Sequence, residues 1–295
     1  MLGECMREAG SLTDALLTHA ATWSAVRSEV CNGASVHVID AFLPAGVAAH
    51  WHSTLNTSWA HASPCRENGL CEEASGGACA WLYTTNSHGG NQKVRSVHRR
   101  DERREFVKQM YARGGFAYSK WELAASHPLY SAMGEMMASV EVRTAVARVI
   151  GLGPGASDED PPVGNISDYF VTAYASGDFL STHSDGASGS LAWVLHLAGS
   201  GGWDSASGGA LRFNGCGPTH GARDFMPAHN RLLLFHTRPG FVPHQVLPVG
   251  RVDEPRFGAT GWWMTRGDHF SAATLKENEA MKAAASKAAM GDMCL

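Results

Sequence analysis

Charge is scarce in this chain of 295 residues: Lys, Arg, Asp and Glu together make up 18%, and the formal balance is −4. Nucleic-acid binders carry a basic surplus that replaces the counterions of the phosphate backbone, so neither DNA nor RNA is an expected partner. Long apolar runs are lacking too, and none approaches the roughly 20 residues needed to cross a bilayer. The opening stretch, Met1 to Leu17, carries Glu4, Glu8 and Asp14 and has no basic start followed by an apolar segment, so no secretory signal is expected. The expectation is a soluble protein of the cytoplasm, with the nucleus as the alternative compartment and no membrane partner. Cysteines are few and odd in number, and seven of them suit reduced thiols better than a disulfide framework. Cys65, Cys71 and Cys79 cluster in a Gly-rich stretch where a local disulfide or a zinc site stays open, although their spacing fits no zinc pattern. Internal repeats are missing as well. What is present is 44% hydrophobic residues, enough at this length for one large packed domain or two small ones.

Ser35 to Asp40 alternates like a strand, and Phe42-Leu43-Pro44 opens a helical stretch through Leu55, with Pro44 where a first helical turn tolerates it. Residues 63–91 are rich in Gly, Ser, Cys and Asn without a period, the texture of a long functional loop. Asp101 to Arg113 reads as a charged helix. Leu129, Met133, Met136, Met137 and Val140 fall on one apolar helical face, which predicts helices buttressing a sheet. Pro154, Pro161 and Pro162 break all periodicity between Gly151 and Gly164, the best internal boundary. Beyond it the texture changes to short runs separated by Gly-rich turns: Tyr169–Tyr174, Phe179–Asp185, Leu191–Leu197, Ala210–Phe213, Leu232–His236, Phe241–Val249 and Phe257–Met264. Strands at that spacing predict a sandwich or barrel. Ser271 caps a last helix running to Met290. The expected organisation is a supporting region over 1–164 that includes a first strand and a lid at 63–91, a β core over 165–270, and a C-terminal helix over 271–295.

His183 and Asp185 read H-x-D, His244 follows 59 residues after Asp185, and Arg256 lies 12 further on. Two histidines and one carboxylate can occupy one face of an octahedral iron(II), leaving the opposite face for a cosubstrate and dioxygen. Residues two apart on a strand point the same way, so His183 and Asp185 can reach one ion while Ser184 faces away. Read alone, the same residues also suit a polar turn at Thr182–Gly186 and a hydrogen-bonded edge histidine. The Gly208-Gly209 pair answers a backbone demand at a turn or bulge, not phosphate binding, because no helix follows it.

The run from Tyr174 through Gly177 and Phe179 to His183 and Asp185 resembles the Y-x-x-G-x-[FY]-x-x-H-x-D signature of the prolyl-hydroxylase-like 2-oxoglutarate, iron(II)-dependent dioxygenases. Further matches follow in order: Val194-Leu195-His196-Leu197, Gly208 to Phe213, Asn230 to Phe235, Pro243 to Val249, and Arg256 to Trp263. The resemblance implies a mainly β fold with flanking helices, a double-stranded β-helix or jelly roll holding the metal at one mouth. It also implies iron ligation by His183, Asp185 and His244. It places the distal carboxylate of 2-oxoglutarate on Arg256, whose guanidinium offers fixed bidentate donors, and puts Tyr174, His196 and Trp262 around that cosubstrate. His196 departs from the tyrosine common in relatives.

Implied cofactors are iron(II), 2-oxoglutarate and dioxygen, with ascorbate as reductant, and the implied reaction is hydroxylation of an unactivated C–H bond. Related halogenases replace the metal-binding carboxylate with a small residue, and Asp185 argues against that variant. Family resemblance favours a prolyl residue in a protein or peptide as substrate, with Trp81 and Tyr83 in the lid. A free amino acid or small metabolite, hydroxylated or oxidatively cyclised, is the runner-up. A barrel that binds a metal or ligand without turnover is the reading from another class. Lys93, Arg95, Arg99, Arg100, Arg103 and Arg104 form a basic cluster that suits an acidic substrate or, interleaved with Asp101, Glu102 and Glu105, a solvated helix.

Overall fold

The computed structural model of the chain describes residues 9–23, 26–62, 80–86, 91–94, 97–152, 163–185, 188–199, 203–237, 242–250 and 252–265. Its elements run α1 (Ala9–Ala20), β1 (Val26–Cys31), β2 (Ala34–Ile39), α2 (Ala45–His61), β3 (Trp81–Asn86), β4 (Asn91–Val94), α3 (Val97–Ala112), β5 (Tyr118–Leu123), α4 (Pro128–Ala138) and α5 (Val140–Val149). They continue as β6 (Val163–Tyr174), β7 (Phe179–His183), β8 (Leu191–His196), β9 (Leu211–Cys216), β10 (Gly221–Phe225), β11 (Arg231–His236), β12 (His244–Val246) and β13 (Arg256–Thr265).

The strands pair in the order β4-β3-β5-β6-β13-β8-β11-β2-β1-β9-β12-β7, with β10 on β9, and a further pairing of β5 with β7 brings the path back on itself. All of these pairings are antiparallel. The result is a mainly β, barrel-like jelly roll with helices along one side. Alternation sorts its side chains. Leu191, Trp193 and Leu195 of β8 and Phe257, Ala259 and Trp263 of β13 join the cluster under the helices, whereas Ala192, Val194 and Trp262 point into the barrel. Strands buried on both faces therefore read as continuous apolar runs such as LAWVLH. Each large side chain so buried contributes about 2–3 kcal/mol.

The helices start where local chemistry allows. Pro128 opens α4 while the His127 imidazole accepts from the Leu129 amide at 3.2 Å, and Ser139 caps α5 by accepting from the Val142 amide at 3.1 Å. Leu129, Met133, Met136 and Met137 are buried as their spacing predicts, but Val140 begins the next helix and is 38% exposed, because Ser139 ends the apolar stripe. Among the described residues no helix is long and apolar enough to cross a membrane.

Several expectations are corrected here. The region before residue 165 supplies five strands, not one, and β2 lies inside the sheet between β1 and β11. Trp81 and Tyr83, assigned above to a lid, are 1% and 3% exposed on β3, because their rings pack with Trp59, Trp121 and Phe257. Residues 63–79, and with them Cys65, Cys71 and Cys79, lie outside the described residues, as do the stretch 153–162 and the expected last helix. Cys31 and Cys216, expected as reduced thiols, form a disulfide between β1 and β9 across 185 residues. The basic cluster on α3 is largely committed to the fold: Arg104 donates to the Ser176 carbonyl and approaches the fully buried Asp178, and Arg100 pairs with Asp101. The side chains of Lys93, Arg95 and Arg99 lie outside the described residues.

His37 of β2 gives the fold an acid limit. Burial, reinforced by His236, lowers its pKa from 6.5 to about 4. Between those values the unfolded chain binds the proton and the folded one does not, so stability falls as pH drops from 6.5 toward 4. Urea midpoints across that range are expected to fall less steeply in His37→Phe than in the unaltered protein.

Candidate active site

β7 and β12 pair with His244 opposite His183, and an irregularity in their register lets both rings turn inward although His183 is three residues from the inward Leu180. Asp185 is not on the strand, as the H-x-D reading expected, but just beyond it, in a turn closed by the Ser188 amide on its carbonyl at 2.8 Å. The turn lets its two oxygens face different rings: Oδ1 lies 3.3 Å from His183 Nε2 and Oδ2 lies 3.3 Å from His244 Nε2. One ligand atom from each residue falls within 4.8 Å of the others. Adjacent ligands of an octahedral ion with bonds of about 2.1 Å stand about 3 Å apart, so this donor set fits such an ion with small adjustments.

Both imidazoles are oriented from behind. His183 Nδ1 donates to the Ser181 carbonyl at 3.0 Å and His244 Nδ1 to the Val242 carbonyl at 2.9 Å, which leaves each Nε2 with a lone pair for a metal. Phe213 and Phe235 flank the His244 ring, with centroids at 5.6 and 4.8 Å. Burial alone would push the Asp185 carboxyl up, but His244 and His183 outweigh it and hold the group well below the usual carboxylate range. It is ionised, as a ligand must be.

Arg256 opens β13 facing Tyr174 of β6, its guanidinium 5.2 Å from the tyrosine ring. It is 3% exposed, and burial pushes its pKa down to about 10, so the cation persists at neutral pH. Among the described residues it has no carboxylate partner, and its Nε makes no hydrogen bond. His196 of β8 is fully buried beside it, with Nδ1 3.4 Å from Arg256 Nη2. A guanidinium only donates, so Nδ1 accepts and the proton sits on Nε2, which has no partner among the described residues. Burial, with Arg256 and Arg231 adding to it, keeps the ring neutral. Two buried donors and one unmatched positive charge are what a carboxylate satisfies. Tyr174 is buried and its hydroxyl stays protonated, chiefly through desolvation; it lies within electrostatic reach of both Arg256 and Asp185. Trp262 stands further along β13, edge-on to Phe170 at 6.0 Å, and its Nε1 has no partner among the described residues.

Gly208 and Gly209 both adopt φ +65°. The first bridges to Val249, and a Cβ on it would lie 2.4 Å from the Pro248 carbonyl; on the second it would lie 3.2 Å from Arg256 Cδ. Gly208→Ala is expected to cost about 1–3 kcal/mol from the left-handed backbone alone, read as a lowered melting temperature, because the clash is with backbone that cannot swing aside.

Sequence reasoning missed β5. Its inner residues Tyr118, Lys120 and Glu122 line the wall beside Phe170 and Tyr174, with Lys120 Nζ 3.1 Å from Glu122 Oε1. The alternating pattern Y-S-K-W-E-L was the available signal, and no element was assigned there from the sequence.

No curated protein sequence matches the chain. Solved structures to which it is similar include a Pseudomonas putida prolyl-4-hydroxylase, at 19% identity over 71% of this chain and 100% of that one with a TM-score of 0.37. A prolyl hydroxylase in complex with a hypoxia inducible factor oxygen degradation domain peptide fragment, from Trichoplax adhaerens, shows 14% identity over 94% of both chains with a TM-score of 0.44. An oxidoreductase of the 2OG-Fe(II) oxygenase family from Burkholderia pseudomallei shows 12% identity over 71% of this chain and 94% of that one, with a TM-score of 0.36. The stretch from β6 to β13, residues 169–264, which carries His183, Asp185, His244 and Arg256, matches the model of the 2OG-Fe(II) oxygenase superfamily.

Proposed function

We propose that this protein is a 2-oxoglutarate- and iron(II)-dependent dioxygenase that hydroxylates an unactivated C–H bond of a prolyl ring, with residues 165–270 as its catalytic core. The observation that carries the reading is the buried Arg256 guanidinium, without a counter-ion among the described residues, on the barrel that also carries a two-histidine, one-carboxylate cluster. A simple metal-binding barrel has no use for that cation. When both groups are bound, the chemistry supplied is oxidative decarboxylation of 2-oxoglutarate to succinate and carbon dioxide with transfer of one atom of dioxygen to carbon; ascorbate serves as reductant.

The chain's own residues fix where that happens. His183, Asp185 and His244 hold the metal on one side, because their donors converge from β7, its turn and β12. Arg256 and His196 hold the distal carboxylate, and Tyr174 and Trp262 shape the space between. Phe213, Phe235 and Val246 close the barrel behind His244 and keep water out. A site in the cytoplasm supplies 2-oxoglutarate freely and belongs to the same reading. The signature from Tyr174 to Asp185 supports a prolyl residue in a protein or peptide as the carrier of the ring. The inward Lys120–Glu122 pair supports a second carrier, the free amino acid. Succinate release from 2-oxoglutarate, with iron and ascorbate and a panel of prolyl peptides and amino acids, tests the function. We expect succinate in step with a one-oxygen mass gain on one panel member; tight metal binding with no succinate under any condition would leave only a binding barrel.

A further inference from the structure

The inner face of β5 turns two full charges toward the mouth of the barrel. Lys120 Nζ lies 3.1 Å from Glu122 Oε1, and the two side chains are only 11% and 13% exposed. The ammonium is also 4.4 Å from the centre of the Phe170 ring and 5.3 Å from that of Tyr118. Phe170 in turn meets Trp262, and β5 pairs both with β6 next to Tyr174 and with β7, the strand that ends in His183. The pair therefore belongs to the wall of the reaction space.

Burying an ion pair costs more in desolvation than its attraction returns unless further hydrogen bonds satisfy both ends. Among the described residues neither Lys120 nor Glu122 has another polar partner, so donors on one and an acceptor on the other remain to be used. A hydrophobic pair would make a cheaper wall. A neutral peptide group returns no charge to such a pair. A zwitterion does: in an α-amino acid the ammonium and carboxylate stand about 3 Å apart, close to the spacing of the two charges on β5, and pair with them in opposite order.

We propose that Lys120 and Glu122 select the substrate, taking the α-carboxylate and α-ammonium of a free amino or imino acid and leaving its side chain for oxidation. This rests on reading the mouth as an oxygenase site and narrows what that site accepts. The test is anaerobic calorimetry on the full chain loaded with iron(II) and 2-oxoglutarate, titrated with the free proteinogenic amino acids, proline first, and with their N-acetyl amides. At least one free amino acid is expected to bind, and its blocked form about tenfold more weakly or worse. Lys120→Met and Glu122→Gln each lose about tenfold or more in that affinity and leave 2-oxoglutarate binding unchanged. The exchanged variant K120E/E122K keeps an ion pair and its melting temperature but reverses the order of charges, and binds no better than the single variants; a purely structural pair predicts recovery there. Equal binding of free and blocked forms, absence of binding by every free amino acid, or recovery in the exchanged variant overturns the proposal. Should the variants not fold, the comparison of free with blocked forms on the unaltered chain decides alone. Loss of the oxygenase reading shows separately, as failure of the unaltered chain to bind 2-oxoglutarate, and the amino-acid titrations are scored the same way without it.

Discussion

His183→Ala leaves the barrel folded and abolishes both iron binding and succinate formation. The side chain sits at the end of β7, and its removal takes one of three metal donors while Asp185 and His244 stay in place. Altering residues that merely orient a ligand costs about 10–100-fold in metal affinity, so removing the ligand itself is expected to cost more than that. Stability of the metal-free protein should change by only about 1–2 kcal/mol, because the imidazole stands at the end of β7 and the change removes one hydrogen bond, to the Ser181 carbonyl, together with its ring contacts. Iron content after dialysis, melting temperature and succinate yield read the three effects together. Undiminished turnover with full iron content removes His183 from the site.

Arg256→Met separates the cosubstrate from the metal. In the protein without 2-oxoglutarate the guanidinium is buried with no anion beside it among the described residues, an arrangement that costs free energy. A methionine of similar length relieves that cost, so the variant is expected to melt at the same temperature as the unaltered protein or higher. Binding moves the other way. Losing the charged donor from a buried carboxylate contact costs about 3–4 kcal/mol, or roughly 100- to 1000-fold in 2-oxoglutarate affinity. In the unaltered protein 2-oxoglutarate at 100 times its Kd stabilises the fold by about 2.7 kcal/mol; the variant shows no such gain at the same concentration, while its iron content is unchanged. An unaltered 2-oxoglutarate requirement takes Arg256 out of the role.

Much of this site was legible because its signals are short-range or fall on strands with a strong alternation. The spacing of His183 and Asp185 brought their ligand atoms together even though Asp185 stands in a turn and not on the strand, since the turn begins directly after His183. Arg256 was singled out by the family resemblance of the run Arg256 to Trp263, and it opens β13. The β core from Tyr169 to Met264 followed from its apolar runs, except β10, whose sequence GARDF is mostly exposed and carries no apolar face. β5 went unassigned for the opposite reason: its charged residues Lys120 and Glu122 interrupt the apolar texture by which the other strands were recognised, although both are largely buried. β1 was not assigned either: its sequence VRSEVC interrupts the apolar residues with charged ones and runs into a tight turn at Asn32 and Gly33, both at positive φ. The Cys31–Cys216 bridge joins positions 185 residues apart, and nothing local marks it. Trp81 and Tyr83 were drawn into a lid by the Gly-rich text before them, whereas packing against Trp59 and Trp121 decides their place.

The most direct test of the account is diffraction from crystals grown without oxygen in the presence of iron(II) and 2-oxoglutarate, recorded at the iron absorption edge. The account predicts a single strong iron peak bonded by Nε2 of His183, Nε2 of His244 and one oxygen of Asp185, with the distal carboxylate of 2-oxoglutarate on Arg256 and His196. Iron bound away from these three side chains, or 2-oxoglutarate bound without contact to Arg256, contradicts it.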